Sequence, residues 1–312
     1  MKRMFELTSN DVLETNKETL LNRILHTEGR TLMAETVISC APFSEGVSNP
    51  ELAAAFGADM ITLNTLDLTA PYIEGLYEED YQWSTLSEKY QKHADFIHRM
   101  SQKNCISDLK NIIGRFVGCN LEPVPENISY PEGYKATYQN FQTAHQLGLD
   151  YVVITGNPNT MITEAGITDA IRSAKEASNN ELLVIAGKMH GAGTGNTESL
   201  DTIRNYCKAG ADIIMIPAPF TTPKMSLALA SEMIAVVHEE GKMALCAMGT
   251  SQEGSDRTIV EQIALNSKTA GADIIHIGDA GFAGIADPEN IKYCSIAIRG
   301  KRHTYRRIGL RR

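Results

Sequence analysis

Short apolar runs alternate with longer amphipathic segments along most of this chain. Four of the apolar runs follow the same Gly-x-Asp motif, which we call the phrase. It begins at Gly57, Gly148, Gly210 and Gly271. Glycine takes the left-handed conformation that ends many helices, and aspartate can satisfy the turn that follows. The phrase therefore predicts four junctions at which a helix ends and a strand begins.

The spacing of these junctions predicts the fold. The four glycines are separated by 91, 62 and 61 residues, and about 60 residues is the length of two strand–helix units. A further strand should lie before or between the junctions, and apolar runs occur there at 32–38, 115–120, 182–186 and 243–248. Eight such strands predict a (βα)8 TIM barrel of the α/β class. A doubly wound open sheet is the alternative.

The same spacing divides the chain into regions. We predict a single barrel domain over 1–312, with a leading helix within 1–30 that covers residues 9–28. The longest separation predicts a helical insertion after the second strand, over 66–110. Long loops on a barrel serve as lids or as subunit contacts, so we expect a homo-oligomer. Residues 299–312 form a basic C-terminal tail.

Composition narrows the classes of function. The chain has 312 residues, is 43% hydrophobic and carries a net charge of −9, which disfavours non-specific binding of nucleic acid by its body. It contains no apolar run long enough for a membrane span. The six cysteines show no C-x-x-C spacing, as expected for reduced thiols. We therefore expect a cytoplasmic protein with no membrane partner.

The basic tail contrasts with the acidic body. It has seven lysines and arginines, Arg299, Lys301, Arg302, Arg306, Arg307, Arg311 and Arg312, and no acidic residue. Such a segment can bind RNA or an acidic patch on a neighbouring subunit. A ligand-sensing barrel that binds RNA through this tail is the alternative to an enzyme.

Polar and ionisable residues gather where the predicted strands end, which is the end of a TIM barrel that carries the active site. Six of them are candidate catalytic residues: Lys188, Glu35, Glu122, His190, His276 and Asp279. Lys188 suits a Schiff-base amine or an anion clamp. The carboxylates and histidines suit acid–base catalysis, and an interior Glu35 would need a partner such as Lys188. Structural ion pairs and a satisfied core histidine are the competing interpretations.

The loops after the last two strands are rich in glycine and precede helices, a combination that can bind phosphate. The candidate phosphate-binding residues are Gly249, Thr250, Ser251, Gly278, Ala280 and Gly281. The loop at 191–195 could be a lid or a second anion site. A divalent metal such as Mg or Mn is a further possibility, with Glu122, His190 and Asp279 as candidate ligands.

Several segments together resemble a known family. They are Gly118-Cys-Asn-Leu-Glu-Pro123, Gly187-Lys-Met-His190, Gly249-Thr-Ser-Gln-Glu-Gly254, His276-Ile-Gly-Asp-Ala-Gly281 and residues 298–307. The chain resembles a bacterial (βα)8-barrel family of which some members carry the label haloacid-dehalogenase-like hydrolase. The chemistry of that hydrolase family needs an Asp-x-Asp motif after the first strand. The most similar segment here, Thr65-Leu-Asp-Leu-Thr69, lacks the first, nucleophilic aspartate. The resemblance implies the barrel and no specific reaction.

These observations favour an enzyme that acts on a small phosphorylated sugar or keto acid. The expected step is proton abstraction next to a carbonyl, as in an aldolase, lyase, epimerase or isomerase. Lys188 would polarise or clamp the substrate, while Glu35, Glu122, His190 and His276 would move protons.

Overall fold

Eight parallel strands close into a barrel in the computed structural model, which describes residues 1–77, 85–157, 160–190 and 198–310. The strands pair in chain order, and the last pairs with the first. They are β1 (Thr31–Val37), β2 (Met60–Asn64), β3 (Phe116–Leu121), β4 (Tyr151–Ile154), β5 (Leu183–Gly187), β6 (Ile213–Pro217), β7 (Met243–Met248) and β8 (Ile274–Ile277). The predicted (βα)8 fold is confirmed, and the doubly wound alternative is wrong because β8 pairs with β1.

Helices surround this barrel and connect its strands. They are α1 (Ser9–Leu13), α2 (Lys17–Thr27), α3 (Asn49–Ala55), α4 (Leu86–Met100), α5 (Cys105–Ile113), α6 (Tyr138–Gln146), α7 (Glu164–Ala177), α8 (Leu200–Ala209), α9 (Leu227–Glu239), α10 (Arg257–Ala270) and α11 (Pro288–Gly309). The predicted insertion after β2 contains α4 and α5, while its residues 78–84 lie outside the described ones.

The four repeated glycines all adopt the left-handed conformation that the sequence predicts. Their φ angles are 111° at Gly57, 83° at Gly148, 111° at Gly210 and 107° at Gly271. Gly210 and Gly271 directly cap α8 and α10. A side chain with a Cβ atom is strained at such angles, so glycine sets the point at which each helix turns into a strand.

The aspartate of each phrase ties its strand to the preceding one. Each carboxylate accepts a hydrogen bond from a backbone N–H at the start of an odd-numbered strand. The four pairs are Asp59 with Leu32 (3.0 Å), Asp150 with Val117 (2.8 Å), Asp212 with Val184 (2.9 Å) and Asp273 with Ala244 (2.8 Å). In each pair the aspartate N–H also donates to the carbonyl of the same partner. We call these four reciprocal pairs the aspartate clamps.

The predicted leading helix over 9–28 is wrong as a single element. The chain forms α1 and α2, because Asn16 caps a new helix by accepting a hydrogen bond from the Thr19 N–H at 2.9 Å. Apolar side chains of this segment, among them Leu7 and Ile24, join the cluster of side chains that fills the barrel interior. The N-terminal segment thus closes the barrel at the end where the strands begin.

The basic tail is folded against that same end. It continues α11 past a kink at Gly300, where φ is 75°. Arg299 and Arg307 reach the carboxylate of Asp59 at 2.5 and 3.0 Å, and all three side chains are 0% exposed. Two arginines of the tail are therefore buried and form ion pairs with Asp59. Residues 311–312 lie outside the described ones.

Candidate active site

The centre of the candidate site is a buried carboxylate–imidazole pair at the end of the barrel where the strands finish. Glu35 on β1 accepts hydrogen bonds from His276 Nε2 on β8 at 3.0 Å and from Asn120 Nδ2 on β3 at 2.5 Å. Both members of the pair are almost fully buried, at 3% and 4% side-chain exposure. Glu35 and His276 both point into the barrel, but the partners of Glu35 are His276 and Asn120 and not Lys188.

A second carboxylate, Asp279, lies beside this pair and is partly accessible. Its Oδ2 atom accepts a hydrogen bond from Asn64 Nδ2 at 2.8 Å. Burial first, and then the negative charges of Glu35 and Glu253, raise the pKa of Asp279 to about 7, against the opposing effects of Asn64 and His276. A carboxyl group with such a pKa can both take and give a proton at neutral pH.

Glu122 forms a separate polar cluster on the β3 side of the mouth. Its carboxylate accepts hydrogen bonds from the Tyr130 hydroxyl at 2.5 Å, from the Asn157 N–H at 3.0 Å and from the Asn157 side-chain amide. Burial, followed by this contact, raises the pKa of Tyr130 above its usual range. With three donors bound, Glu122 is better placed to fix Tyr130 and Asn157 than to abstract a proton.

Glu122 and its partners line a small pocket at this mouth. It has a volume of about 190 Å³ and is lined by Asn64, Thr65, Asn120, Glu122, Tyr130, Pro131, Tyr134 and Asn157. The amides of Asn64 and Asn120 lie on its wall and directly contact Asp279 and Glu35. The pocket therefore connects the proton-carrying groups with a surface of amides and hydroxyls that can bind the oxygens of a small polar molecule.

Lys188 and His190 follow β5 and complete the group. Burial, followed by the charge of Lys188, lowers the pKa of His190, while Glu35 and Glu122 act in the opposite direction. The lowered pKa favours the neutral form of His190. The Lys188 side chain is 2% exposed and makes no salt bridge with a described residue. The structure brings all six predicted catalytic residues to one barrel mouth, whereas the loop at 191–195 lies outside the described residues.

A carboxylate that the sequence did not single out lies near Lys188. Glu198 is 7% exposed, and neither of its oxygens has a hydrogen-bond partner among the described residues. Burial raises the pKa of Glu198 to about 7, and the charge of Lys188 partly opposes this. Glu198 therefore holds a proton for much of the time at neutral pH.

The predicted phosphate loops meet as expected, but a carboxylate occupies the space between them. Glu253 is 1% exposed and accepts a hydrogen bond from the Ala280 N–H at 3.3 Å. A Cβ atom at Gly278 would lie 2.6 Å from its Oε1 atom, so glycine permits this approach. The N–H groups of Gly278 and Gly281 donate to backbone carbonyls at 2.8 and 2.7 Å. A phosphate bound here would have to displace these contacts.

The remaining phosphate candidates lie on the loop after β7. The Thr250 hydroxyl donates to the carbonyl of Thr221 at 2.7 Å and contacts Gln252 at 2.6 Å. Ser251 is exposed and adopts a φ of 75° before a short 3-10 helix. Gly249 follows β7 directly, and a Cβ atom there would meet Met189. Phosphate binding by this loop stays a prediction.

The candidate metal ligands do not come together. Glu122 is saturated by Tyr130 and Asn157, and Asp279 is held by Asn64. Within the described ranges, no three histidine, cysteine, aspartate or glutamate side chains are grouped so as to hold a metal ion. A divalent metal bound by one or two of these groups together with water stays a prediction.

Sequence reasoning missed several residues that shape this site. Asn64, Asn120, Tyr130 and Asn157 all contact the candidate catalytic groups. Asn64 and Asn120 could have been found, because alternation along β2 and β3 places them on the same face as the inward Met60 and Phe116. Tyr130 lies on a loop, where the sequence carries no comparable periodic signal.

The chain belongs to the family described as Domain of unknown function (DUF7916), whose model matches residues 5–312. That description names no reaction, so the haloacid-dehalogenase-like label stays untested. No curated protein shows a significant sequence match to this chain.

Solved structures share the fold at low identity. A multifunctional pyruvate carboxylase from Rhizobium etli is 13% identical over 96% of this chain and 30% of its own, with a TM-score of 0.51. A 2,3-dimethylmalate lyase of the PEP mutase/isocitrate lyase superfamily is 17% identical over 84% and 81%, with a TM-score of 0.47. Thiamine phosphate pyrophosphorylase from Pyrococcus furiosus is 13% identical over 87% and 96%, with a TM-score of 0.48. The shared feature is the barrel.

No helix among the described residues has the length and apolarity that a membrane span requires.

Proposed function

For this member of the DUF7916 family, we propose an enzyme that transfers a proton at a carbon next to a carbonyl group, as a lyase or isomerase does. The observation that carries the proposal is the set of ionisable groups around Asp279. Its carboxyl group has a pKa raised to about 7 by burial and by Glu35 and Glu253. Strongly perturbed groups of this kind, gathered at the strand ends of a barrel, are typical of acid–base sites.

In the proposed reaction Asp279 is the base. Its partial exposure lets it contact a substrate at the mouth, and the Asn64 amide fixes its orientation at 2.8 Å. Glu35 and His276 lie behind it as positioning residues, since their charges set its proton affinity. Neutral His190 and the amide of Asn120 supply hydrogen bonds to the carbonyl oxygen, on which negative charge develops as the proton leaves.

We assign the substrate's carbonyl group to the side of the mouth that holds Lys188. A buried amine with no salt bridge to a described residue suits either a Schiff base or electrostatic stabilisation of the enolate. In the Schiff-base version the amine nitrogen adds to the carbonyl carbon and the carbonyl oxygen leaves as water. The small substrate stays a proposal. Its phosphate group also stays a proposal, because Glu253 already occupies the space between the two loops that were predicted to bind phosphate.

Borohydride trapping separates the two roles of Lys188. The enzyme is incubated with pyruvate, treated with borohydride and digested, and its peptides are analysed by mass spectrometry. We expect a reduced adduct on Lys188 that is absent from Lys188→Met. If wild-type enzyme exchanges substrate protons but gives no adduct, Lys188 is a clamp and the Schiff-base version is wrong.

The reaction class is tested by deuterium exchange. Wild-type protein is incubated in D2O with pyruvate, 2-oxobutanoate and dihydroxyacetone phosphate, and loss of the C–H signal beside the carbonyl is followed by proton NMR. Because only ionised Asp279 can accept a proton, we expect the exchange rate to rise with pH and to level off above about pH 7. Asp279→Asn should lose both this rise and most of the rate.

The matched control for this experiment is Asp169→Asn, which changes a carboxylate on α7 whose side chain is 76% exposed. It should exchange as fast as wild type. Wild-type exchange no faster than the enzyme-free reaction for every probe would count against the proposed function. Exchange by Asp279→Asn with an unchanged pH profile would exclude Asp279 as the base.

A metal-dependent reaction and RNA binding through the tail both stay alternatives. The described carboxylates and histidines form no group of three around one point. In the basic tail, Arg299 and Arg307 are committed to Asp59, and Arg306 contacts Glu6 at 3.1 Å. RNA binding by the remaining tail residues stays a prediction.

A further inference from the structure

We propose that a pocket between Phe43 and Phe282 binds a neutral ring that the substrate carries in addition to its reacting carbonyl group. This inference rests on the proposed function, because the pocket extends the mouth that holds the candidate catalytic groups. The residues that line the pocket are different from those groups. We call this space the phenylalanine pocket.

The phenylalanine pocket adjoins the candidate catalytic groups. Its volume is about 430 Å³, and it is lined by Phe43, Ser251, Gly254, Ala280, Gly281, Phe282 and Asp287. Ala280 follows the proposed base Asp279, and Gly254 follows the buried Glu253. Pockets of a few hundred Å³ hold ring-containing small molecules. A substrate could therefore place its reacting carbon at Asp279 and its ring in this pocket.

One buried side chain links the two loops that carry the phenylalanines. Asn49 is 2% exposed. Its Oδ1 atom accepts a hydrogen bond from the Phe43 N–H at 2.9 Å, and its Nδ2 atom donates to the carbonyl of Ala283 at 2.7 Å. Ala283 follows Phe282 directly, so a single amide sets the position of one phenylalanine loop relative to the other.

The backbone beside Phe282 is strained while the side chain is exposed. Ala283 has a φ of 62°, which is costly for a residue with a Cβ atom. Phe282 is nevertheless 89% exposed and Phe43 is 49% exposed. Isolated exposed apolar side chains are ordinary. Two that line one pocket, joined through Asn49 and held by strained backbone, indicate a surface built for an apolar ligand group.

The lining also selects against an anion. None of the described residues that line the pocket is a lysine or an arginine, and Asp287 brings a negative charge. The N–H groups of Ala280 and Gly281 are already bound to Glu253 and to the Asp279 carbonyl. Aromatic side chains and glycine surface instead suit a flat, uncharged ring. The part of the mouth predicted to hold phosphate thus fits a ring better.

Ligand binding is tested directly, without reference to catalysis. Fluoroindole is titrated with the full chain and followed by fluorine NMR, and inorganic phosphate is titrated in a parallel series. For a ligand of this size we expect a Kd on the order of 1 mM. Phe282→Ala and Phe43→Ala should each weaken binding about tenfold. Because both side chains are substantially exposed, these variants should fold, which circular dichroism checks.

The matched control is Tyr305→Ala, which removes another exposed aromatic ring, 57% exposed, from α11. It should leave the fluoroindole Kd unchanged. Equal binding by wild type and Phe282→Ala would overturn the proposal, as would competition by millimolar phosphate. A change of oligomeric state in Phe282→Ala, seen by light scattering, would also overturn it and make this face a subunit contact. Ring binding without any proton exchange would leave the pocket standing and reject the proposed reaction alone.

Discussion

Replacing Asp59 with alanine is expected to lower the free energy of unfolding by about 4 kcal/mol and the melting temperature by roughly 10 °C. Its carboxylate is 0% exposed and balances two guanidinium groups that are also 0% exposed. Removing one partner of a buried ion pair leaves an uncompensated buried charge, which costs far more than the pair itself contributes. Here two positive charges would be left together.

The aspartate clamps offer a matched control for this prediction. Asp150→Ala removes the same hydrogen bond to a neighbouring strand, but its cation, Lys110, keeps 13% side-chain exposure and can reach water. We expect a loss of about 2 kcal/mol for Asp150→Ala. Both losses of unfolding free energy are to be measured by urea unfolding followed by circular dichroism. Equal losses for the two variants would mean that the arginines contribute nothing beyond the shared clamp.

A triple variant tests the charge argument itself. Asp59→Leu combined with Arg299→Met and Arg307→Leu removes all three buried charges while keeping apolar volume. Apolar replacements of buried ion pairs are often neutral or stabilising, so the triple variant should be more stable than Asp59→Ala. If the triple variant unfolds at lower urea than Asp59→Ala, packing and not charge explains the loss.

Replacing Glu35 with glutamine is expected to slow deuterium exchange by about 10²-fold, the usual cost of displacing a catalytic group. The amide retains the shape of the side chain but carries no charge. It weakens the hydrogen bond with His276, whose Nε2 atom lies 3.0 Å from the Glu35 carboxylate. It also removes a negative charge that raises the pKa of Asp279, so any remaining exchange should level off at a lower pH.

A double-mutant cycle distinguishes this role from a structural one. If Glu35 and His276 act as a unit, His276→Gln should lose about as much rate as Glu35→Gln, and the double variant little more. Asp169→Asn again serves as the surface control. Independent, multiplicative losses would indicate two separate effects, and a wild-type pH profile in Glu35→Gln would show that Glu35 does not tune Asp279.

The barrel could be predicted from sequence because its signal is local and repeated. Each junction needs a left-handed residue and a clamp acceptor at fixed positions, and glycine and aspartate satisfy both needs four times. The inward position of His276 follows equally from alternation along a short strand. Such features depend on a residue's immediate neighbours and so leave a readable pattern.

The parts that could not be predicted depend on partners distant in sequence. Nothing near Arg307 indicates that it lies against Asp59, and its spacing within a basic segment suggests an exposed residue. The acidic Glu253 counts against an anion in its glycine-rich loop, but its approach to Gly278 on the neighbouring loop cannot be read from the sequence. The link that Asn49 makes between two loops is likewise invisible, because Asn49 bonds to Ala283 across 234 positions.

The ionic contact between Asp59 and the last helix also bears on the order in which the molecule folds. Asp59 and Arg299 are separated by 240 positions, and a chain is synthesised from its N-terminus. During synthesis, the carboxylate of Asp59 therefore stays in water until the segment that carries Arg299 and Arg307 has been made. The first aspartate clamp is then buried only after the other seven strands have been synthesised.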